Sequence, residues 1–472
     1  MTPKKHTPTE LSLGINRRRF IYYSTIAAAA AGITGPLLAK PKIKSANEKL
    51  NIAGIGCSGK GASDIKGAFD AGVNIVALCD VDENTLNKSA QTYAGATLYR
   101  DYRKMIEKHK DLDGVIVSTP DHHHYPAAML AVQADKHVYC QKPLTHTIWE
   151  ARELGNAARK HKVATQMGNQ GHCGEGVREL CEIIWSGAIG DIREVHCWTD
   201  RPIWPQGLNR PTGSDPVPAN LDWDLWLGPA PMRLFKQNWT VEESKGWKRA
   251  GGSPVYHPFA WRGWWDFGCG ALGDMGCHLM DPSNWALHLG APTSVETINQ
   301  DGMTSEMAPK AATIRYEFPE RNTPNGKMPA VTFNWYDGGK RPEKPAEMEK
   351  KMDTNGTIFV GSKGKLVCGA YGGDPTLLPE SKMEGYIRPA KTIPRVPDND
   401  PYKDWIRAAK GGPAACSNFP DYAAPFTETV LLGNLALRLG KKLEWDSKHM
   451  KVKNMPEADR LIHKEYRKGW KV

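Results

Sequence analysis

Residues 50–59 read LNIAGIGCSG, and no other stretch constrains the fold of this chain so tightly. An apolar run of strand character ends in glycines and opens directly into a helix-forming segment. Gly54, Gly56 and Gly59 stand at the spacing that lets a backbone turn sharply, approach a ligand and pack a helix on a strand. The free N–H groups at such a helix start favour phosphate. The next apolar run, NIVALCDVD, is closed by Asp80, 21 residues after Gly59, where a carboxylate accepts hydrogen bonds from both hydroxyls of a ribose. The motif, with Ser58 in its loop, predicts a dinucleotide site. Asp80 would repel a 2′-phosphate, so NAD is expected rather than NADP.

The alternation continues. Apolar runs GVIVSTP (114–120), HVYCQKP (137–143) and VATQMGNQ (163–170) are separated by the helical stretches YPAAMLAVQADK and TIWEARELGNAARKHK, and DENTLNKSAQTYA precedes them. Strands alternating with helices of this length predict a parallel sheet, hence an α/β Rossmann domain over residues 47–170. After residue 171 the rhythm changes. A helix in VRELCEIIWSGAIG, a strand in DIREVHCWTD and a Pro/Trp-rich segment (201–265) are followed by the strand-like runs AATIRYEF, AVTFNWYD and TIFVGSKGKLVCGAY, the last a hairpin about Ser362–Gly364. Strands without intervening helices predict an α+β domain with a large, mostly antiparallel open sheet over 171–440. A solvated loop, GGKRPEKPAEMEKKMD, and a Pro-rich linker, TIPRVPDNDP, precede the helix ETVLLGNLALRLGKK; residues 441–472 read as a C-terminal extension.

The net charge of +10 suggests a polyanion partner only until it is located. Residues 1–46 carry eight Lys/Arg against Glu10, so seven of the positive charges lie there and three on the remainder, too few to argue for nucleic acid. That segment reads as a targeting signal. Arg17 and Arg18 precede Phe20 and Ile21 in a twin-arginine pattern, and TIAAAAAGITGPLLA makes a weak h-region but a poor membrane span. The expectation is export to the periplasm by the twin-arginine route, with Ala39 and Ala46 as alternative cleavage points. The ten Cys show no CxxC, and an even count permits disulfides without specifying one.

Three further motifs carry chemistry. STPDHHHYP (118–126) and QKP (141–143) leave the C-terminal ends of predicted parallel strands, the edge where open α/β sheets bind ligands. GALGDMGCHLMD (270–281) sets Asp274 and His278 on one helical face at i,i+4, the arrangement of a base with a supporting carboxylate or of a satisfied core histidine. No further side chains at metal-ligand spacing accompany them, so no metal site is expected.

Together these motifs resemble the Gfo/Idh/MocA oxidoreductase family, the relatives of glucose–fructose oxidoreductase and inositol dehydrogenase. The resemblance covers residues 50–290 by motif and the rest by pattern. It implies hydride transfer to nicotinamide, with His278 as general base, Asp274 orienting the imidazole or bonding substrate, and Lys142 on the substrate oxygen. It further implies a Lys142–Pro143 peptide that is often cis. Where the family has Glu-Lys-Pro this chain has Gln141-Lys142-Pro143, which leaves Lys142 without an adjacent carboxylate. Thr119, Pro120, His124, Gln141, Lys142 and Asn169 are the implied cofactor contacts, and His172 an implied substrate contact; His122 and His123 are not carried over. The glycines Gly270, Gly273 and Gly276 are expected to let ligands approach the backbone, and dimers or tetramers are common in the family.

The segment ahead of the catalytic helix holds WTDRPIWPQG, LDWDLWLGPAP and YHPFAWRGWWDFG. Indole faces stack on the apolar faces of sugar rings, so Arg201, Trp204, His257, Trp261 and Arg262 are candidate carbohydrate contacts. At least half of these Trp, Trp223 and Trp226 included, are expected in the core. The reading is an NAD-dependent oxidoreductase of a sugar, sugar derivative or polyol. The rivals are a redox-neutral, glycoside-cleaving enzyme that oxidises a ring carbon transiently, and a non-catalytic carbohydrate-binding protein.

Overall fold

Strand β1 (Asn51–Ile55) is buried at four of its five positions, as a strand covered on both faces must be. It lies at the centre of a sheet with β2 (Asn74–Cys79), β3 (Thr97–Tyr99), β4 (Gly114–Val117), β5 (His137–Cys140) and β6 (Thr165–Met167). The order is β3-β2-β1-β4-β5-β6, with every neighbouring pair parallel. The order reverses at β1, so the crevice between β1 and β4 is the switch point at which such sheets take a ligand. This computed structural model describes residues 48–245, 247 and 251–472; the twin-arginine segment at 1–46 lies outside them. Among the described residues no helix is long and apolar enough to cross a membrane.

Local chemistry sets the helix boundaries. Thr147 and Glu150 form a reciprocal capping box at the start of helix Ile148–His161, satisfying two otherwise orphaned donors. Asp82 and Asp101 cap the helices after β2 and β3 with side-chain acceptors. Gly59, by contrast, heads helix Lys60–Asp70 with no side-chain cap.

The second sheet contains β7 (Ile192–Trp198), β8 (Ser294–Asp301), β9 (Ala311–Phe318), β12 (Val331–Tyr336), β13 (Gly356–Gly361), β14 (Gly364–Cys368), β15 (Thr376–Leu378), β16 (Leu443–Asp446) and β17 (Lys451–Val452). A small hairpin of β10 (Arg321–Thr323) and β11 (Gly326–Met328) stands apart. The order is β15-β14-β13-β7-β12-β9-β8-β16-β17, antiparallel except where β7 meets β12. The fold is thus the expected Rossmann sheet followed by a large, mostly antiparallel open sheet.

Helix Ala424–Leu439 joins the two halves. Thirteen of its residues are buried, because it packs between helix Ile148–His161, helix Gly270–Leu279 and β8. A helix buried on most of its circumference belongs in a core; its buried polar groups are partnered, Glu428 by Arg152 and Asn434 by the Cys269 carbonyl, and each fully buried Leu or Val contributes about 1.5–3 kcal/mol. Gly276 faces this helix, where a Cβ would press on Val430 at 3.1 Å. Gly273 likewise packs against Cys269, and only Gly270 of the three reaches the cleft. The expectation that all three serve ligand approach is corrected: Gly276 makes room for the neighbouring helix and Gly273 for Cys269 at the start of its own helix.

The chain crosses back late. Helix Pro401–Ala409 buries Trp405 completely against Tyr139 and Gly114 of the first sheet, although it follows the second sheet in sequence. The Pro/Trp-rich segment has its own core, in which Trp223, Trp226, Trp239, Tyr256, Trp264 and Phe267 are buried together. Arg233 is buried within it, bonded to Asp266 at 2.6 Å and Glu306 at 2.9 Å while lying over Trp264. Most of this segment's indoles therefore serve stability, as expected.

Candidate active site

The loops after β1, β2, β4 and β5 open on one cleft of about 660 Å³, whose other wall is the segment 257–278. Gly54 sits within β1, where a side chain would strike Ile65, so it packs the helix and does not face the cleft. Gly56 takes φ +85°, and a Cβ there would stand 2.6 Å from the Ser118 carbonyl. Gly59 takes φ +51°, and a Cβ there would meet nothing within 4 Å, leaving open space at the uncapped helix start. Asp80 accepts the Cys57 N–H at 2.7 Å and the Asp82 N–H at 2.9 Å, one on each oxygen. Each oxygen keeps a second lone pair for a ribose hydroxyl. Burial raises the Asp80 carboxyl above the usual range, and the two N–H donors oppose that rise. Glycine cradle, uncapped helix and carboxylate fit a dinucleotide, with Ser58, Thr119 and Pro120 also on the wall.

His257 stands 3.4 Å from Asp82, two residues beyond Asp80, so the Trp-rich segment roofs this end of the cleft as well. Arg201, Trp261 and Arg262 line the cleft too. Trp204 does not. It is buried, donating to Gln206 at 2.9 Å, and it backs Arg262, whose guanidinium lies 5.9 Å over its ring.

Lys142 follows β5, and its peptide to Pro143 is cis. Its Nζ donates to the Asp274 carboxylate at 2.8 Å and to the Asp274 carbonyl at 2.7 Å. Arg262 Nε stands 3.5 Å from the same carboxylate oxygen. Burial works against the Asp274 charge, but the Lys142 and Arg262 cations prevail and hold the carboxyl down at about 2. Two expectations are corrected here. Lys142 has its carboxylate neighbour after all, supplied by the helix, and Asp274 therefore supports the lysine, not the imidazole.

Gln141 explains its own departure from the family triplet. Its Nε2 donates to Asp64 at 2.9 Å, a fully buried carboxylate that also accepts from Ser118 and Tyr402, each at 2.7 Å. A Glu at 141 would set a second carboxylate against the first, whose cationic partner is Lys60, in low dielectric.

His278 is 7% exposed and lines the cleft, yet its Nδ1 has no hydrogen-bond partner among the described residues. Burial first, then the Lys142 charge, lowers it to about 3, so the ring is neutral. Tyr371 meets it edge-on, ring centres 4.8 Å apart. Tyr371 holds φ +62°, a conformation a non-glycine residue adopts at some cost. It is a cleft residue that sequence reasoning missed, because it arrives from the loop after β14 without a motif. Asp121 was missed too, though it stands inside STPDHHHYP. It is buried on the cleft wall, accepts the Cys269 N–H at 3.0 Å, and is raised by burial to about 7 against the pull of Lys142 and Arg262.

The histidine run is not a solvated loop. His122 and His123 are buried and bonded to the carbonyls of Phe267 and Trp226. His124 borders the cleft, but its ring sits between the carbonyls of Pro143 at 2.7 Å and Thr119 at 2.9 Å; burial lowers it to about 4, so its single N–H donates to one of them, according to the tautomer.

Asn169 and His172, expected as cofactor and substrate contacts, do not line the cleft, although the Asn169 Oδ1 has no partner among the described residues. Both converge on Asp281, behind the cleft wall: Asn169 donates at 3.0 Å, the His172 Nδ1 at 3.0 Å to both oxygens, and Tyr422 at 2.7 Å. A buried carboxylate needs such compensation, and these residues provide it. Burial disfavours a charged His172, but Asp281 outweighs it and raises the imidazole.

Residues 50–169 match the model of an oxidoreductase family with an NAD-binding Rossmann fold, and residues 203–318 match that of the family's C-terminal alpha/beta domain, both Gfo/Idh/MocA. Inositol 2-dehydrogenase of Salmonella paratyphi B is 33% identical over 150 residues, which span 31% of this chain and 44% of that protein. A glycosyl hydrolase family 109 protein of Shewanella pealeana is 26% identical over 204 residues, 38% of this chain and 44% of its own length. The chain thus spans less than half the length of the curated relatives it matches. The WlbA dehydrogenase of Bordetella pertussis, solved with NADH and UDP-GlcNAcA, is similar at TM-score 0.56 and 15% identity over 84% of this chain and 99% of that one, a likeness of fold. Glycine loop, Lys-Pro turn, catalytic-type helix and both domain matches agree: the chain belongs to the Gfo/Idh/MocA oxidoreductase family and carries its NAD-binding Rossmann domain.

Proposed function

We propose that this chain oxidises a hydroxyl of a sugar, sugar derivative or polyol in an NAD-dependent reaction, with His278 as general base. The observation that carries the reading is a neutral, partner-poor imidazole in the same cleft as the Lys142–Asp274 pair and the glycine cradle. A dinucleotide whose pyrophosphate is held by the glycine loop would supply a hydride acceptor in its nicotinamide ring. The chain's own side chains handle proton and charge. Lys142, aimed by Asp274, donates to the substrate oxygen and stabilises negative charge as it develops there. His278 takes the hydroxyl proton; burial with the nearby ammonium keeps its lone pair free at neutral pH, at the expense of basicity. Proton transfer of this kind contributes about 10²–10⁴-fold. Arg201, Trp261 and Arg262 offer a flat apolar face with polar donors, a surface suited to a carbohydrate ring. The inositol dehydrogenase and the UDP-GlcNAcA-bound relative support that class of substrate.

The test is the absorbance spectrum of purified protein with NAD against a panel of sugars and polyols. A reduced-nicotinamide band grows with one of them in the wild type and not in His278→Ala. A protein that takes up no NAD overturns the reading.

A second reading is redox-neutral glycoside cleavage. Asp121, near neutrality beside Lys142, is a proton-carrying group beyond the need of simple hydride transfer, and one relative bears a glycosyl hydrolase name. Aglycone release from p-nitrophenyl glycosides without net NADH would favour it. Residues 1–46 are proposed to direct twin-arginine export, which Arg17→Lys with Arg18→Lys abolishes in cell fractionation. A dimer or tetramer is proposed from the family habit, and light scattering checks it.

A further inference from the structure

Cys173 ends the short helical turn Gln170–Cys173 after β6, and Cys416 lies in the loop ahead of helix Ala424–Leu439. Their Sγ atoms, 243 residues apart in sequence, are 3.3 Å apart. A disulfide needs about 2.05 Å, so closing the pair takes a shift of roughly 1 Å. Access is graded: Cys173 is fully buried, whereas Cys416 is partly exposed. Gln166 Nε2 points at both sulfurs, 3.4 Å from Cys173 and 4.0 Å from Cys416. Either sulfur can donate across this contact; with the partly exposed Cys416 as acceptor, the Cys173 S–H and the His172 charge favour its thiolate against burial, while the inner sulfur is raised. The outer cysteine is thus the nucleophile and the inner one its resolving partner.

A cation is the competing use of these groups, because Asp404 is also near. Its carboxylate is already engaged, accepting from Arg407 at 2.7 Å and from the Cys416 N–H at 2.8 Å. Two thiolates on one tetrahedral zinc stand about 3.8 Å apart, given Zn–S of about 2.3 Å, wider than the spacing here.

We propose that Cys173 and Cys416 are a disulfide-forming pair that closes by exchange with a small-molecule disulfide. The Cys416 thiolate attacks one sulfur of the reagent, forming a mixed disulfide and releasing the first reagent thiolate. The Cys173 sulfur then attacks Cys416 Sγ, the protein S–S bond forms, and the second reagent thiolate leaves. The two thiol protons go to the two released thiolates. The pair loses two electrons and the reagent gains them, so the exchange balances.

The experiment treats the full chain, folded and reduced, with oxidised glutathione, then alkylates it in denaturant and maps it without reduction. The expected result is a fall from ten free thiols to eight and a linked peptide joining residues 173 and 416. In Cys416→Ser no bridge at 173 forms. The proposal is overturned if the wild-type thiol count stays at ten, if the lost thiols map to other cysteines, or if glutathione stays on Cys416 unresolved. Stoichiometric zinc on the purified chain that blocks alkylation of both residues would overturn it equally.

Discussion

Two histidine–carboxylate neighbourhoods flank the turn where helix Gly270–Leu279 runs into helix Asp281–Ala286, and they are wired in opposite ways. Behind the cleft, Asp281 is saturated by His172, Asn169 and Tyr422. Inside it, Asp274 serves Lys142, and His278 is left with an unpaired nitrogen. The first arrangement engages both Asp281 oxygens and the His172 Nδ1, leaving only the Asn169 Oδ1 without a partner among the described residues. The second leaves a nitrogen exposed to whatever fills the cleft, and an orphaned buried polar atom in a native fold calls for a reason. Sequence spacing alone would have put Asp274 with His278; which acid serves which base is decided by what the fold brings against each.

The sharpest way to break that contrast is an exchange of single deletions. His278→Ala should lower kcat/KM by about 10²–10⁴-fold while leaving the urea midpoint nearly unchanged. His172→Ala should unfold earlier; if it instead abolished turnover at unchanged stability, the two neighbourhoods would have to trade roles. Next, Asp281→Asn strips the partner from a buried pair and should cost about 3–5 kcal/mol in urea denaturation. His172 is raised in the fold, so the pair's contribution is fully present below about pH 6.5 and fades as pH rises through the folded value. The penalty should therefore be larger at pH 6 than at pH 9.

Asp121 runs in the same direction with pH, but there the substitution should stabilise. Its carboxyl, ordinarily near 3.8, is raised to about 7, so the wild type loses stability as pH climbs between those values. Asp121→Asn should be more stable than wild type by about 2–4 kcal/mol at pH 8 and equal to it below pH 4. If the pH–rate profile shows a limb near 7 that vanishes in the same variant, that limb belongs to Asp121 and not to His278. The smallest effect is expected for Gln141→Glu, which sets like charges together beside Asp64. A loss of about 1–2 kcal/mol, with kcat changed less than tenfold because Asp274 still holds Lys142, would confirm why this chain lacks the family's glutamate.

What was legible in the chain follows from how locally each feature is determined. The glycine loop, Asp80 and the strand–helix rhythm depend on neighbours a few residues away, so they could be read directly. Arg201, His257, Trp261 and Arg262 reached the cleft because the segment that carries them must lie over the strand ends. Trp204 fell behind them because an indole with an internal acceptor prefers the core. Asn169 and His172 misled because their partner, Asp281, is more than 100 residues away. Tyr371 left no mark at all, since a lone tyrosine in a loop announces nothing.

The docking of Trp405 has a temporal side. The socket formed by Tyr139 and Gly114 is waiting from the moment the first sheet is made, but its plug lies more than 230 residues downstream. At about 5–20 residues per second, a ribosome needs roughly 12–50 s to deliver it. Through that interval the nascent nucleotide domain exposes an aromatic-sized apolar hole, an open invitation to chaperones and a reason for a fragment ending near residue 170 to aggregate.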